Sequence, residues 1–415
     1  MAEPPSSWVP FEWPESWTSP DLLRLLDPAS FNCLLLPAGA STLRAAAEAR
    51  GFICPPPVRW QSWKELEWAA KEPIKAIGDG FWPDLTQKGG TSEEAGPTGA
   101  AWLDANGWLI EMARARAPES TIWLRSELPE DPRTLRWTHY ELALLEAWTY
   151  GARRPLALAA PHAEALGQGN ADALAWRSIL STQQWMNSHA AWRAHRPFAR
   201  LAIASDFTGP NEYISTETLL LAARLGIAFV PVDRARFRPD QLTPFKALLW
   251  CDPAPVPATV RSWVEQGGTL IAMPASLKDW RLGPVDDGAH ARFRIHHAAQ
   301  GRIAAARAEF DEPWMLAKDA HLIMSRRHDA IRLFNAGSLQ YRHAYSQGRH
   351  LLHLLNYTLR PAAHPVSVQL ALPARSVRLH TPGQPPRPLE LTRELGGVEA
   401  GIPPFALYSA VEFEE

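Results

Sequence analysis

Short apolar runs alternate with amphipathic runs between residues 200 and 273, and this alternation is the clearest pattern in the chain. The apolar runs are short and unbroken, as expected of parallel strands that are buried on both faces. Four of them are present, at 201–205, 228–232, 247–250 and 269–273. A helical run at 212–225 follows the first and ends at Gly226. The alternation predicts a doubly wound parallel sheet with right-handed crossovers.

The first 196 residues also alternate between strand and helix signals. Short apolar runs predict strands at 31–37, 52–54, 74–78, 121–125 and 155–160. Helical runs lie between and after them, at 43–50, 63–71, 102–117, 133–150 and 172–195. A complete (β/α)8 barrel needs about 250 residues, so the segment predicts an abridged barrel with five or six strands. The first 30 residues are rich in tryptophan and proline, and we expect them to wrap the surface as an irregular arm.

From residue 331 onward the pattern changes to short strands with alternating polar and apolar positions. The runs VSVQLAL at 366–372 and YSAVEFE at 408–414 are examples. Strands of this length and spacing predict an antiparallel β-sandwich. The chain is therefore predicted to be an α/β multidomain protein. Its parts are an abridged TIM-barrel-like domain with the arm at 1–196, a flavodoxin-like domain at 197–328 and the sandwich at 329–415.

Composition removes several classes of function. The net charge of −2 gives no reason to expect nucleic acid or a membrane surface as a partner. Three cysteines cannot form a disulfide framework and fit no zinc spacing, so no metal site is expected. The chain has no apolar run of membrane-spanning length and no visible signal peptide, which predicts a cytoplasmic protein. It also lacks a nucleotide-binding glycine motif, so no cofactor is expected.

Several stretches carry a resemblance to known proteins. They are the strand that ends at Asp206, KALLWCDP, VEQGGTLIA, GPTG, WLDANGW, EAWTYGARRPLAL, HLLNYT and GIPPFALYSAVEFE. With these stretches the chain resembles family 42 β-galactosidases and related clan A glycoside hydrolases. The resemblance implies a barrel, a glutamine-amidotransferase-like domain and a C-terminal β-sandwich. It also implies a homo-oligomer, possibly a trimer, because the amidotransferase-like domain mediates assembly in those proteins.

The central domain is interpreted as a scaffold. A working glutamine amidotransferase needs a cysteine on a strand-to-helix elbow, with a histidine as its base. After the run at 269–273 the sequence reads Pro-Ala-Ser, without a cysteine. Cys251 is followed by Asp-Pro instead of an elbow, and we expect it to be a small buried thiol. Asp206 and Glu212, at the end of the sheet, are interpreted as structural or interface contacts.

The resemblance also places a candidate active site. Clan A glycosidases use two carboxylates at the carboxyl ends of barrel strands, one as proton donor and one as nucleophile. Asp79 follows the strand at 74–78 and Glu127 follows the strand at 121–125, which makes these two residues the catalytic candidates. Glu127 is preceded by Ser126, whereas the family has asparagine before its acid.

Five further residues are predicted to contact the substrate: Trp82, Asp84, Trp102, Asp104 and His162. An indole can stack on the apolar face of a sugar, and an imidazole can bind a hydroxyl group. Each prediction has a structural alternative. Asp104 can serve the first turn of a helix, the tryptophans can be core residues, His162 can be an ordinary loop residue, and Asp84 and Glu127 can be solvated loop charges.

Two functions remain open. The first is a glycoside hydrolase-like protein that acts on or binds a β-linked saccharide through carboxylates at the barrel mouth. The second is a non-catalytic protein that keeps the glycosidase architecture to bind a saccharide or to assemble with a partner. The three-part architecture favours the first, while the abridged barrel and the missing Asn-Glu pair favour the second.

Overall fold

The computed structural model describes residues 4–85, 87–88, 92–93, 103–129, 131, 134–286, 290–361, 364–394 and 396–415, with the backbone alone at 87–88 and 92–93. Its helices and strands form three groups that follow one another along the chain, except that β9 (Arg196–Pro197) pairs with the third group. Within these residues no helix is both long enough and apolar enough to cross a membrane. The architecture is mixed α/β with several separate sheets.

The first group contains short strands and amphipathic or buried helices. The strands are β1 (Pro10–Glu12), β2 (Cys33–Leu35), β3 (Ile74–Gly80), β4 (Asp84–Leu85), β5 (Gln87–Lys88), β6 (Ser92–Glu93), β7 (Leu103–Asp104) and β8 (Thr121–Ser126). The helices are α1 (Ser41–Ala49), α2 (Gly107–Arg116), α3 (Trp137–Thr149), α4 (Ala160–Gly167) and α5 (Ala173–Ser188).

Parallel pairing joins this group into a closed ring. β1 pairs with β2, and β3 pairs with β8. An extended segment at 52–61 links β2 to β3 through parallel bridges at Ile53 and Gln61. A second segment at 153–156 links β8 to β1 through parallel bridges at Arg153 and Leu156. The four strands and two segments all run in the same direction, so their carboxyl ends meet at one edge, which we call the ring mouth.

Aromatic side chains fill the inside of the ring. Trp123 of β8 is fully buried, and it packs with Ala76 of the neighbouring strand β3 and with Cys33 of β2. Trp8 and Trp60 complete this cluster, with ring centroids 6.4 and 6.3 Å from that of Trp123. Packed side chains therefore fill the space inside the ring.

Several expected elements of this group are different in the structure. The strands expected at 52–54 and 155–160 are isolated bridges at Ile53 and Leu156, and the helix expected from residue 102 begins at Gly107. Pro10–Glu12, expected in an irregular arm, is a ring strand that pairs with β2. The segment 63–71, expected to be helical, consists of turns. Lys75 Nζ donates a hydrogen bond to the Glu67 carbonyl at 2.7 Å, and a helix would need that carbonyl for its own ladder. Tertiary contacts therefore outweigh local helix propensity there.

The second group is a seven-stranded sheet with helices on both faces. Its elements are β10 (Leu201–Ser205), α6 (Glu212–Arg224), β11 (Phe229–Asp233), β12 (Ala247–Trp250), α7 (Val260–Glu265), β13 (Thr269–Ala272), β14 (Val285–Asp286), β15 (Phe293–Ala298), β16 (Gly301–Ala306) and α8 (Pro313–Met324). The strand order is β11-β10-β12-β13-β16-β15-β14. The first five strands in this order are parallel, and β15 and β14 are antiparallel additions.

Alternate residues of β10 explain why this sheet has no polar face. Leu201 and Ile203 share a core with α6 and α8, while Ala202 and Ala204 share another with α7. Burial on both faces accounts for the unbroken apolar runs in the sequence. The four strands predicted here are confirmed to within one residue at each end, and they pair in parallel.

The third group consists of two antiparallel sheets that share one core. Its strands are β9 (Arg196–Pro197), β17 (Ile331–Phe334), β18 (Leu339–Ser346), β19 (Arg349–Asn356), β20 (Val366–Leu370), β21 (Ser376–His380), β22 (Arg387–Pro388), β23 (Thr392–Glu394), β24 (Gly397–Ile402) and β25 (Tyr408–Glu414). The orders are β22-β21-β25-β19-β18-β9 and β17-β20-β24-β23. Inward residues of both sheets, such as Leu352 and Val368, form the shared core.

Buried polar contacts join the third group to the first. Arg342 of β18 lies 2.6 Å from Glu111 of α2, and it also donates a hydrogen bond to the Thr149 carbonyl at the end of α3. Tyr357, just after β19, donates a hydrogen bond to Glu146 of α3 at 2.5 Å. Such contacts favour one arrangement of the two groups, because a buried charge has few alternative partners.

Buried histidines in the third group should make the stability of the protein depend on pH. His343 and His353 are buried, and burial lowers the pKa of both imidazoles well below the usual value near 6.5. The unfolded chain binds a proton at these sites before the folded chain does, so stability is complete above about pH 6.5 and falls as the pH drops below it. The expected loss is up to about 1.4 kcal/mol per histidine and pH unit.

Urea unfolding between pH 7.5 and pH 5 tests this expectation. His353→Gln, which cannot be protonated, should have a shallower pH slope than the wild type. His364 is exposed, so His364→Gln should keep the wild-type slope. Equal slopes for the wild type and His353→Gln would show that other groups control acid unfolding.

Candidate functional site

Asp79 lies near the carboxyl end of β3, and its side chain is exposed. Its Oδ2 accepts a hydrogen bond from Ser62 Oγ at 2.6 Å, and its Oδ1 accepts one from the Trp63 backbone N–H at 2.9 Å. Both carboxylate oxygens therefore hold the turns that precede β3. A carboxylate that bonds local backbone and hydroxyl donors in this way stabilises a turn.

The register of the ring brings the two predicted catalytic carboxylates to the same edge. Gly80 of β3 lies opposite Ser126 of β8. Asp79 precedes the first and Glu127 follows the second, so they extend from neighbouring strands at the ring mouth. Glu127 is exposed, like Asp79. Neither carboxyl is in the enclosed apolar setting that a proton-donating acid needs.

A carboxylate that the sequence analysis missed also lies at the ring mouth. Glu12 ends β1, and its Oε1 lies 2.9 Å from Nη2 of Arg125 at the end of β8. The Arg125 guanidinium is 5.9 Å from the centre of the Trp60 ring. In the sequence Glu12 follows a short apolar run, which is typical of an acid at the end of a strand. It was not predicted because the first 30 residues were interpreted as an irregular arm. The mouth therefore presents acids, a cation and an indole together.

Trp82 and His162 contact the same tyrosine. The Tyr140 ring lies edge-on to both, with centroid distances of 5.6 Å to Trp82 and 5.5 Å to His162. The Tyr140 hydroxyl is 3.4 Å from His162 Nδ1 and accepts a hydrogen bond from the Ala159 N–H at 3.0 Å. Burial lowers the pKa of His162, which keeps its imidazole neutral at pH 7. The two residues form one aromatic cluster around Tyr140.

A small recess of about 310 Å³ lies beside Trp82. Arg154 forms part of its wall and donates a hydrogen bond to Ser126 Oγ at the end of β8. The Arg154 guanidinium is 5.3 Å from the centre of the Trp82 ring. Burial lowers the pKa of Arg154 to about 10, and the negative charge of Glu146 opposes the shift. Arg154 therefore stays protonated at neutral pH inside the fold.

Glu146 anchors the loop that follows β3. Its carboxylate is fully buried and accepts hydrogen bonds from the Asn106 N–H at 2.8 Å, Asn106 Nδ2 at 2.6 Å and the Tyr357 hydroxyl. Asn106 in turn bonds both the N–H and the carbonyl of Phe81. Burial raises the pKa of Glu146, and these donors with the charge of Arg154 oppose the shift. Glu146 positions Phe81, and hence Trp82, without reaching the surface.

Asp84 and Asp104 lie opposite each other on β4 and β7. Asp84 Oδ1 accepts a hydrogen bond from the following N–H, and Asp104 Oδ1 is 3.4 Å from Arg224 of the central group. Asp104 therefore contributes to a contact between the first two groups. Trp102 and the GPTG loop lie outside the described residues.

The carboxyl edge of the central sheet carries a second polar cluster. Arg234 contacts both Asp206 Oδ2, at 2.5 Å, and Asp252 Oδ2, at 2.7 Å, and Ser205 Oγ donates a hydrogen bond to Asp252 at 2.7 Å. These residues lie at the carboxyl ends of β10, β11 and β12. The strand order reverses there, and open sheets often bind ligands at such a place. Glu212 instead pairs with Lys64 of the first group at 2.6 Å.

Cys251 lies beside this cluster and is completely buried. Burial raises the pKa of its thiol well above the usual value, and the nearby carboxyl of Asp252 acts in the same direction. A nucleophilic cysteine needs the opposite shift. Among the described residues no group of three histidine, cysteine or acidic side chains is arranged to hold a metal ion.

Comparison with known proteins gives structural similarities at low sequence identity. No protein-family model and no curated protein matches the chain. Alpha-L-fucosidase isoenzyme 2 from Paenibacillus thiaminolyticus is 15% identical with a TM-score of 0.49, over 77% of this chain and 64% of that protein. A GH42 beta-galactosidase from G. stearothermophilus is 10% identical with a TM-score of 0.48, over 74% and 56%.

A rhamnosidase from Novosphingobium sp. PP1Y is similar to the same degree, with 12% identity, a TM-score of 0.48 and coverage of 74% of this chain and 33% of that protein. All three relatives are glycoside hydrolases by their titles. The chain spans less than two thirds of the length of each of them.

Proposed function

We propose that this protein binds a β-linked saccharide at the ring mouth without hydrolysing it. The observation that carries this proposal is the position of Asp79, whose two carboxylate oxygens accept hydrogen bonds from Ser62 and from the Trp63 backbone. An acid used in this way stabilises a turn and is not free to attack a sugar.

Hydrolysis would need a second carboxyl with a different environment. One group must hold a proton for the leaving oxygen, and the other must remain ionised. Glu127 is exposed like Asp79, while Glu12 already pairs with Arg125. The mouth therefore has several carboxylates in similar polar settings, and no pair whose environments separate an acid from a base. The similar settings of these carboxylates favour binding over catalysis.

Saccharide recognition suits the other groups at the mouth. Trp60 and Trp82 are half-buried, so part of each indole faces outward. Indoles pack against the apolar face of a sugar ring, while Arg125, Glu12 and Glu127 can form hydrogen bonds with its hydroxyl groups. Ligand sites commonly combine a few such polar groups with aromatic walls.

We further propose that the three groups correspond to an abridged (β/α) barrel, a glutamine-amidotransferase-like domain and a β-sandwich, with boundaries near residues 196 and 328. The closed parallel ring supports the first assignment. The parallel core of the central sheet supports the second, and the shared core of the two antiparallel sheets supports the third. The proposed assembly is a homo-oligomer, which light scattering at micromolar concentration tests.

Calorimetry with β-linked disaccharides and hydrolysis of a panel of aryl β-glycosides test the function together. The wild type should bind at least one disaccharide and release no aryl group. Arg125→Gln should weaken binding about tenfold, because a charged hydrogen-bond donor to the sugar is lost. Glu164 is exposed on α4, and Glu164→Gln should bind like the wild type.

Two results would contradict this proposal. Cleavage by the wild type that disappears in Glu127→Gln or Asp79→Asn would identify a hydrolase that uses those carboxylates. Failure of the wild type to bind any saccharide of the panel would remove the ring mouth as a sugar site.

A further inference from the structure

A larger recess lies away from the ring mouth, between the first and third groups. It encloses about 860 Å³, part of which is continuous with solvent. Helices α3 and α5 form one wall, through Glu141, Ser178 and Thr182. The opposite wall comes from the chain after β21 and the segment that leads into β25. Its size is within the range of sites for small organic ligands.

One buried carboxyl in this recess lacks a charged partner. Glu141 is only 5% exposed, and its Oε1 has no hydrogen-bond partner among the described residues. The hydroxyls of Ser178 and Thr182 interact with the carboxyl and partly offset its burial. Arg387, the cation that lines the recess, is itself exposed. A buried carboxylate without a cation is unfavourable, and nearby hydroxyls compensate for only part of the cost.

The remaining lining mixes apolar side chains with polar ones such as Thr381, Gln384 and Ser409. Leu145, Leu379, Phe405 and Leu407 supply apolar surface around the carboxyl. Four prolines also line the recess, namely Pro361, Pro382, Pro403 and Pro404. Proline restricts backbone motion, so a site built on these segments loses little entropy when a ligand binds. The recess therefore combines one buried carboxyl with a preformed wall that is partly apolar.

We propose that this recess is a binding site for a small organic cation, a protonated primary amine on an apolar body. The ammonium group donates hydrogen bonds to Glu141 and the adjacent hydroxyls, and the apolar body packs between Leu145 and Phe405. An ammonium group supplies both the positive charge and the donors that the buried carboxylate lacks. A neutral alcohol of the same shape supplies one donor and no charge. This site is separate from the ring mouth and does not depend on saccharide binding.

Calorimetry at pH 8 with benzylamine and benzyl alcohol tests the proposal on the whole chain. Benzylamine should bind at least tenfold more tightly than benzyl alcohol. Glu141→Gln should reduce benzylamine affinity at least tenfold and leave the affinity for the alcohol almost unchanged. Ser178→Trp, at an exposed position on α5 that lines the recess, should block both ligands by filling it. Glu164→Gln is the matched control and should bind as the wild type does.

The pH dependence of binding supplies a second readout. Burial raises the pKa of Glu141, so the carboxyl must lose a proton before it can pair with an ammonium group. Benzylamine affinity should therefore increase from pH 5 to pH 8 in the wild type and stay flat in Glu141→Gln. The exposed Arg387 and the buried Tyr408 also line the recess. Burial raises the pKa of Tyr408 well above its usual value, so its hydroxyl stays protonated over this range.

Three outcomes would overturn the proposal. They are equal affinities for the amine and the alcohol, unchanged benzylamine binding in Glu141→Gln, and no detectable binding of benzylamine to the wild type. If Glu141→Gln fails to fold, the comparison of amine with alcohol on the wild type and the loss of binding in Ser178→Trp decide the question.

Discussion

Replacement of Arg342 by methionine should lower the free energy of unfolding by about 3–5 kcal/mol. Arg342 Nε lies 2.6 Å from Glu111 Oε1, and both side chains are less than 10% exposed. Arg342 also donates a hydrogen bond to the Thr149 carbonyl at 2.9 Å. The substitution would remove the nearer cation of the buried Glu111 carboxylate, at the place where β18 meets α2, and leave only Arg114 at 4.0 Å. Urea unfolding at pH 7 measures the change.

Two control variants separate the lost ion pair from a general effect of losing arginine. The double variant Glu111→Leu with Arg342→Met removes both charges and should recover most of the lost stability, because an apolar pair can replace a buried ion pair. Arg238 pairs with Asp240 where both side chains are about 70% exposed, so Arg238→Met should change stability by less than about 1 kcal/mol. A double variant as unstable as the single one would contradict the buried-charge explanation.

Gly301→Ala should lower the free energy of unfolding by at least about 1–3 kcal/mol, because the added methyl group has no room. A Cβ at this position would lie 1.9 Å from the Val264 carbonyl oxygen and 2.4 Å from that of Gly268. Both atoms belong to the backbone between α7 and β13, which cannot move without disturbing the central sheet. Thermal unfolding of the variant should show a lower midpoint temperature than that of the wild type.

A glycine in another strand is the matched control. Gly401 lies in β24, and a Cβ there would have no atom within 4 Å. Gly401→Ala should leave stability unchanged within about 0.5 kcal/mol or raise it slightly, because alanine restricts the unfolded chain. Similar losses in both variants would show that strand glycines matter here for their flexibility and not for close packing.

Local pattern predicted the central sheet more accurately than any other part of the chain. Its strands are buried on both faces, so each produces a short apolar run that is visible without knowledge of its neighbours. The ring was harder to predict, because two of its six segments form only isolated bridges and contain proline. Pro10 interrupts the run that forms β1, so this strand was not predicted, although β2 pairs with it in parallel. The runs at 52–54 and 155–160 did predict strands, but the structure has only isolated bridges there.

The candidate site was also predicted only in part from the sequence. Strand-end position was enough to place Asp79 and Glu127 at one edge, since the register of β3 and β8 follows from local strands. Strand-end position could not show that Ser62 and the Trp63 backbone donate hydrogen bonds to the Asp79 carboxylate. Those contacts depend on turns in a segment where a helix was expected. Glu12 was missed for a related reason, since its partner Arg125 is 113 residues away in the sequence.

The sequence by itself determined the mixed α/β class, the central parallel strands and the short antiparallel strands after residue 331. These features follow from the period of apolar residues, which is a local property. The tertiary structure alone decided that the ring closes and that Glu146 is held between Asn106 and Tyr357. It alone also placed the buried Glu141 at a recess, with one carboxylate oxygen lacking a hydrogen-bond partner among the described residues. The burial of a charged group and the identity of its hydrogen-bond partners depend on residues that are far away in the chain. The local spacing of apolar residues contains no information about them.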